Sequence, residues 1–144
     1  MSQIFEHELF DILTGKISTA INRAMLRAFA QENIDITTEQ WSVMACLWNK
    51  DKVTQQSLCM LTEKDKPSIT RLIDKLEKRN YVVRVSDPTD RRINLIHLTA
   101  TGAALQQKAT EIVQRVAETT LYNITEKELN SSREVLKKVM KNLK

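Results

Sequence analysis

Apolar side chains recur at helical spacing through most of this chain. Between about Ile4 and Ala30 they return every three or four residues, close to the 3.6-residue period of an α-helix. The positions that set this pattern are Ile4, Leu9, Ile12, Leu13, Ile17, Ala20, Ile21, Ala24 and Leu26. The pattern predicts one long helix.

A second helix is predicted over "ITTEQWSVMACLW". Thr37 and Gln40 have the spacing of a capping box, in which the two side chains satisfy backbone N–H groups that the first turn leaves free. The positions that share one face of this helix are Trp41, Met44, Ala45 and Trp48. We therefore expect a helix that begins at Thr37.

Two further helices with a short polar turn between them are predicted next. "VTQQSLCML" opens with the capping hydroxyl of Thr54, the polar run "TEKDK" follows, and Pro67 of "PSITRLIDKLEKRN" suits a first helical turn. The expected buried stripe is Ile69, Leu72, Ile73 and Leu76, and the expected outward side chains are Ser68, Thr70, Arg71, Asp74, Lys75 and Lys78. This arrangement predicts a helix-turn-helix whose second helix has a basic, hydroxyl-rich outer face.

A hairpin and two helices complete the predicted order. "YVVRVS" and "INLIHL" are short runs rich in Val and Ile that bracket the charged segment "DPTDRR". Thr99 is a candidate cap for the next helix, and Thr125 with Glu128 forms another capping box before the last one. The predicted fold class is mainly α with a small β-hairpin wing.

Composition narrows the classes of function. A chain of 144 residues has the length of one domain, and its 2 Gly and 2 Pro disfavour sandwiches, barrels and glycine-rich phosphate loops. No apolar run approaches the roughly 20 residues of a membrane span, and "MSQIFEHELF" lacks the charge of a signal peptide. These features predict a cytoplasmic protein without a membrane partner.

Catalytic and metal chemistry are not expected. His7 and His97 are the only histidines, they fall on separate predicted elements, and no Cys/His ligand spacing or Ser/His/Asp set accompanies them. A hydrogen-bonded structural role is the expectation for His97 in its predicted strand. We therefore predict no enzyme activity, no metal and no cofactor.

The positive charge of the chain is concentrated in its middle. Residues 50–92 contain 11 basic and 7 acidic residues, a net charge of +4, which equals the net charge of the whole chain. The remaining segments are neutral overall. A surface that binds nucleic acid or another polyanion requires such a distribution, and the alternative is a solvated charged face.

These motifs together resemble the MarR family of bacterial winged-helix regulators. The resemblance rests on "ITTEQWSVMACL", "KPSITRLIDKLEKRNYVVR", "DPTDRR" and "LIHLTATG" in this order, and it extends from about Ile36 to Gly102. It implies a homodimer that binds a pseudo-palindromic DNA operator, with a recognition helix in the major groove and a wing in the minor groove. The resemblance also implies a regulator of transcription, most often a repressor.

The resemblance assigns a DNA-binding role to residues of both elements. On the recognition helix it implies contacts with bases and adjacent phosphates for Ser68, Thr70 and Arg71, and contacts with phosphates for Lys66 and Lys75. Pro67 belongs to the first turn of this helix. On the wing it implies a tip formed by Asp90 and Arg92, with Arg91 at a phosphate. A carboxylate two residues from an arginine can hold and aim the guanidinium.

Two positions depart from the family pattern. Asn80 stands where a glycine is usual, a change that a helix end tolerates because asparagine adopts left-handed backbone readily. The turn "TEKD" is more polar than is usual in the family. Neither change removes a predicted contact residue.

The helices outside the winged segment are expected to form a dimerisation layer. We assign residues 1–34 and 104–144 to this layer and residues 36–102 to DNA binding, within a single domain of residues 1–144. The candidate interface positions are Ile4, Phe5, Leu9, Phe10, Leu121, Ile124, Leu136, Val139, Met140 and Leu143. The alternative is that these residues form the core of a monomer.

The family resemblance also implies a pocket for a small aromatic or lipophilic effector between the two layers. The candidate lining residues are Phe10, Phe29, Trp41 and Trp48, and the alternative is that they are core residues.

Two other functions remain open at this stage. One is a winged helix that binds another protein. The other is a regulator that senses oxidants through Cys46 or Cys59, although both lie in apolar patterns and neither has a cation beside it in the sequence.

Overall fold

The computed structural model describes residues 8–144, which form six α-helices and a three-stranded antiparallel sheet. The helices are α1 (Ile17–Gln31), α2 (Thr38–Asn49), α3 (Gln55–Thr62), α4 (Lys66–Lys78), α5 (Ala100–Thr120) and α6 (Glu126–Leu143). The strands are β1 (Val53–Thr54), β2 (Val82–Ser86) and β3 (Asn94–Leu98). The predicted class, mainly α with a β-hairpin wing, is confirmed.

The first helical segment is not continuous. Residues 8–11 are helical, a π-helical turn spans Ile12–Lys16, and α1 follows directly. Gly15 has non-helical backbone angles, with φ at 171°, so the helix kinks there. The expectation of one uninterrupted helix is therefore wrong at Gly15, and Ile4, Phe5 and His7 lie outside the described residues.

The predicted helix starts are confirmed by their capping bonds. Thr37 Oγ1 accepts from the Gln40 N–H at 3.1 Å while Gln40 Oε1 accepts from the Thr37 N–H at 3.0 Å, a complete capping box. Thr54 caps α3 and Thr99 caps α5. Thr125 and Glu128 form the second capping box, at the start of α6.

The hairpin is confirmed, and a short third strand extends it. β3 is the central strand, paired with β2 on one side and with β1 on the other. Val82 lies opposite Leu98 and Ser86 opposite Asn94, so the whole of "DPTDRR" is left for the loop. β1 was not predicted because two residues are too few to show an alternating pattern.

Two clusters of buried side chains hold the described part of the chain together. One joins α2, α3, α4 and the sheet, and it includes the predicted stripe of Ile69, Leu72, Ile73 and Leu76. The other lies between α1 and α5 around Phe29 and Ile112. Trp48 packs against both clusters and donates its indole N–H to the Gly102 carbonyl at 2.9 Å. The winged segment and α5 are thus joined by a tryptophan.

The last helix differs from the others because none of its residues is buried. Its apolar residues are exposed to solvent, and Leu143, for example, is 76% exposed. The other exposed apolar side chains on and around this helix are Leu121, Tyr122, Ile124, Val135, Leu136 and Met140. Their exposure leaves α6 with an apolar face that nothing in residues 8–144 covers.

Residues 8–144 contain neither a membrane-spanning helix nor a cluster of metal ligands. No helix in this range is both long and apolar enough to cross a bilayer. The same residues contain no group of three His, Cys, Asp or Glu side chains placed to hold a metal ion. His97 lies in β3 with its Nε2 atom buried and without a hydrogen-bond partner among the described residues, so the expected structural hydrogen bond is missing at that atom.

Candidate nucleic-acid interface

Helix α4, the candidate recognition helix, begins at an aspartate that the sequence analysis did not single out. Asp65 accepts a hydrogen bond from the Ser68 N–H at 2.8 Å, and this bond is the main reason that the pKa of its carboxyl is lowered. Lys66 and Pro67 occupy the first turn of the helix, as predicted. The cap fixes the end of the helix that carries the candidate contact residues.

Ser68 and Arg71 lie one turn apart on this helix. The Arg71 guanidinium donates to Ser68 Oγ at 3.4 Å, and Arg71 is exposed. Asp74 follows Arg71 by three residues on the same helix, but its carboxylate is bonded to Arg84 at 2.7 Å. Arg71 therefore remains available to an anion outside the chain.

Thr70 is half-buried and already hydrogen-bonded. Its hydroxyl donates to the Lys66 carbonyl at 2.9 Å and accepts from Gln55 Nε2 at 2.7 Å. The expectation that Thr70 faces fully outward is therefore wrong, because the first residue of α3 lies over it. Its hydroxyl proton is therefore already donated to a backbone carbonyl of the same helix.

Several cations of this surface form no ion pair within residues 8–144. The ion pairs of α4, its preceding turn and the hairpin include Lys64 with Glu39, Arg79 with Asp35, Arg84 with two acids and Arg92 with Asp90. On α4 and the hairpin loop, the exposed cations left unpaired are Lys66, Arg71, Lys75, Lys78 and Arg91. Unpaired cations on one surface favour a polyanionic partner.

The wing tip has the predicted aspartate–arginine pair. Arg92 Nε lies 3.1 Å from Asp90 Oδ1, and Arg92 Nη2 lies 3.3 Å from Asp90 Oδ2. The Arg92 side chain is 90% exposed, and its hydrogen bonds hold the pKa of the Asp90 carboxyl below its usual value. Because two of five N–H groups bind the aspartate, three remain free at the outer edge of the guanidinium.

The turn before this pair is also ordered by an aspartate. Asp87 accepts from both the N–H and the hydroxyl of Thr89, at 2.8 and 2.7 Å, and these bonds lower the pKa of its carboxyl. The Asp87 N–H binds the Ile93 carbonyl at 2.9 Å, which closes the loop. The wing tip is therefore a structured turn.

Arg84 is a residue of this surface that the sequence analysis missed. It lies in β2, and its side chain reaches Asp74 at 2.7 Å, Glu77 at 3.0 Å and the Thr70 carbonyl at 3.4 Å. Its backbone N–H also donates to Glu77 at 3.2 Å. The available signal was one cation inside a mostly apolar strand, six residues after the end of a helix with acids at positions 74 and 77.

A groove of about 630 Å³ lies between α3, the turn before α4 and the wing. Lys64, Lys66 and Arg92 line it together with Cys59, which is half-buried. The sequence has no cation beside either cysteine, and the fold brings Lys64, Lys66 and Arg92 from other elements to the groove that Cys59 lines. Cys46 is half-buried elsewhere, and burial raises the pKa of its thiol.

The four aromatic residues proposed for an effector pocket do not share one cavity. Trp41 and Trp48 line a groove of about 450 Å³ between α2 and α5. Phe29 is completely buried in the cluster beneath, and Phe10 is 65% exposed on the first helical segment. The predicted pocket of four aromatic residues is therefore wrong. Phe29 faces the core between α1 and α5, whereas Phe10 precedes the kink at Gly15.

Sequence comparison places this chain among regulators. The model of the MarR family matches residues 36–93. The chain is 30% identical over 108 residues to the multiple antibiotic resistance protein MarR of Escherichia coli, an alignment that covers 74% of this chain and 75% of the relative. It is 26% identical over 109 residues to a Thauera aromatica protein named for regulation of the hcr operon. That alignment covers 72% of this chain and 66% of the relative.

Structural comparison gives the same grouping. The S. aureus MepR–DNA complex matches with a TM-score of 0.86 at 25% identity, over 94% of this chain and 98% of MepR. A cysteine-to-serine variant of E. coli MarR in complex with operator DNA matches with a TM-score of 0.83 at 25% identity, over 96% and 99% of the two chains. Wild-type E. coli MarR in its apo form gives a TM-score of 0.71 at 26% identity, over 90% and 95%.

Proposed function

This chain belongs to the MarR family of DNA-binding transcriptional regulators, and we propose that it binds a pseudo-palindromic double-stranded operator as a homodimer and represses transcription. The recognition helix would enter the major groove, which at about 12 Å is wide enough for a helix. The wing would lie along the minor groove, where an arginine is attracted by the negative potential of A·T-rich sequence.

The observation that carries this proposal is the paired wing tip. Arg92 is held by both oxygens of Asp90 and yet is almost fully exposed, with free N–H groups at its outer edge. An arginine held in this way loses less side-chain entropy when it binds a partner. An exposed ion pair by itself stabilises a protein little, so its order is better explained by recognition.

The recognition helix would supply the major-groove contacts. Ser68 and Arg71 are the candidates for base edges, and Arg71 can bind guanine through two N–H groups. Lys66, Lys75 and Arg91, which form no ion pair within residues 8–144, are cations suited to phosphates. Thr70 would act mainly by holding Gln55 against the helix, since its proton is already donated.

Similarity to DNA complexes supports the same function. The structure resembles the operator-bound form of the E. coli MarR variant more closely than the apo form of wild-type E. coli MarR, by TM-scores of 0.83 and 0.71. We expect that the winged segment needs little rearrangement to meet a duplex.

Dimerisation would use residues 1–34 and 104–144, with residues 36–102 left for DNA. The apolar face of α6 supports this division, because Leu136, Met140 and Leu143 are exposed in the single chain. Operator half-sites lie about one helical turn, or 34 Å, apart, so two winged segments are needed to bind both. A second copy of this chain provides the second segment and covers the exposed face.

A small aromatic or lipophilic effector would bind in the groove of Trp41 and Trp48. The two indoles provide apolar surface, while Asn49, Gln106 and Thr110 provide polar groups in the same groove. The groove lies between α2 of the winged segment and α5, so an occupant would contact both layers.

Selection of bound duplexes from a random pool tests the operator proposal. We expect enrichment of sequences with two inverted half-sites separated by about 10 base pairs. Enrichment of a single half-site would contradict binding as a dimer. If no duplex is enriched, DNA binding by this chain is wrong, and the winged-helix protein-binding alternative is favoured.

A further inference from the structure

Arg84 connects the wing to the recognition helix through both its side chain and its backbone. Glu77 of α4 accepts from the Arg84 guanidinium with one oxygen and from the Arg84 N–H with the other. Asp74, one turn earlier on α4, accepts from the same guanidinium. One residue of β2 is therefore bonded to two successive turns of the helix.

The backbone bond fixes the position of the strand along the helix. β2 is an edge strand of the sheet, so the N–H groups on its outer side have no strand to bind. Glu77 satisfies one of them at Arg84, opposite Ile96 of β3. Sliding β2 along α4 would break this bond and leave its N–H unpaired.

The side-chain bonds are better shielded from water than the other ion pairs of this surface. The Arg84 side chain is 21% exposed, compared with 90% for Arg92 and 34% for Arg79. An arginine that spans two carboxylates has a fixed planar geometry, which a lysine cannot reproduce. The link is therefore directional as well as electrostatic.

The link also compensates two acids on the helix that carries the DNA-facing cations. Asp74 and Glu77 lie on α4 with Arg71 and Lys75. Unpaired, they would repel phosphates; bonded to Arg84, their charge is partly neutralised.

We propose that Arg84 is a positioning residue of the DNA interface, which sets the wing against the recognition helix so that Arg92 reaches the duplex when Ser68 and Arg71 do. Arg84 acts through the wing and does not itself contact the duplex. The inference rests on the proposed DNA-binding function.

A double-mutant cycle with Arg92 tests this role. Arg84→Gln is expected to weaken binding to the selected operator about tenfold in the wild-type background. In the Arg92→Ala background the same change is expected to cost less than about threefold, because a wing without its arginine has little to position. Equal losses in the two backgrounds would overturn the proposal.

Arg79→Gln is the matched control. It removes an arginine that is also ion-paired, with Asp35 at 3.1 Å, at the end of the same helix, and that has no hydrogen bond or ion pair to the wing among the described residues. Its effect on affinity is expected to be the same with and without Arg92. Coupling of Arg79 to Arg92 as large as that of Arg84 would also overturn the proposal, since it would show a general effect of charge.

Arg84→Lys separates geometry from charge. It keeps the positive charge but cannot bind both carboxylates with a planar fork, so we expect it to lose affinity as Arg84→Gln does. Full affinity in Arg84→Lys would overturn a positioning role. Each variant is first checked for an unchanged unfolding midpoint.

A second variant covers the case in which Arg84→Gln does not fold. Glu77→Ala removes both oxygens that accept from Arg84, at a more exposed residue, and we expect the same loss of coupling to Arg92. Failure of the wild-type protein to bind any duplex would overturn the proposed function itself. If the wild-type protein binds the operator but the losses from the Arg84 and Arg92 substitutions simply add, only the positioning role is overturned.

Discussion

At the scale of single residues, the spacing of Asp90 and Arg92 in the sequence corresponds to a bidentate ion pair in the structure. This spacing predicted a held guanidinium, and the structure has both carboxylate oxygens bonded to it. The sequence could not indicate how exposed the pair would be, because exposure depends on the turn that Asp87 and Thr89 form.

Arg92→Ala is expected to weaken operator binding more than tenfold while the dimer stays intact. The change removes the charged group proposed for the minor groove but no buried contact. Titration of a labelled operator measures the affinity, and sedimentation measures the assembly. Unchanged affinity would remove the wing from the proposed interface.

The pH dependence of this pair follows from the lowered pKa of Asp90. A carboxyl with a lowered pKa in the folded protein stabilises it at pH values above the unfolded pKa, and this contribution is lost as the pH falls through the folded pKa. The pair should therefore remain intact from about pH 8 down to about pH 6.

NMR titration of the Asp90 carboxyl tests this expectation. We expect a midpoint below that of an ordinary aspartate, and Arg92→Ala should raise it. A midpoint at or above the ordinary value would contradict the held arginine.

Gly102 is required by a close approach between elements. A Cβ atom at this position would collide with the backbone carbonyl of Tyr81, which also accepts the Thr99 N–H. Gly102→Ala is expected to destabilise the fold by about 3 kcal/mol, as overpacking of a rigid site does. Gly15→Ala is the control, since nothing lies within 4 Å of its Cβ position. Equal unfolding free energies for the two variants would contradict the steric argument.

At the scale of elements, periodicity and capping residues predicted most of the fold. The capping box of Thr37 and the stripe from Ile69 to Leu76 need only local sequence, and both are confirmed. The Arg84 link and the half-buried state of Thr70 depend on how α3, α4 and β2 pack together. Such contacts between elements leave no fixed spacing in a sequence.

The apolar face of α6 gives a prediction at this scale. Met140→Glu is expected to convert the proposed dimer to a monomer, because it places a charge in an apolar interface. Lys138→Glu, on the opposite side of the same helix, should leave the dimer intact. Sedimentation equilibrium distinguishes the two states, and a dimeric Met140→Glu would exclude this face from the interface.

At the scale of the whole molecule, the distribution of charge determines how the protein should respond to salt. The net charge of +4 lies in residues 50–92, where seven exposed cations have no ion pair among residues 8–144. If a dimer neutralises about six phosphates, its operator affinity should fall by roughly three decades between about 50 and 200 mM salt. Affinity that does not change with salt would favour the protein-binding alternative.

Trp48, whose indole joins the winged segment to α5, also provides an intrinsic fluorescence signal from this contact. The chain contains 2 tryptophans, and both line the same groove between α2 and α5. Intrinsic fluorescence therefore reports from one place, where Trp48 is bonded to Gly102. A compound that enters the groove or separates the layers would shift the emission, so a library of small aromatic acids could be screened without a label and without knowing the operator.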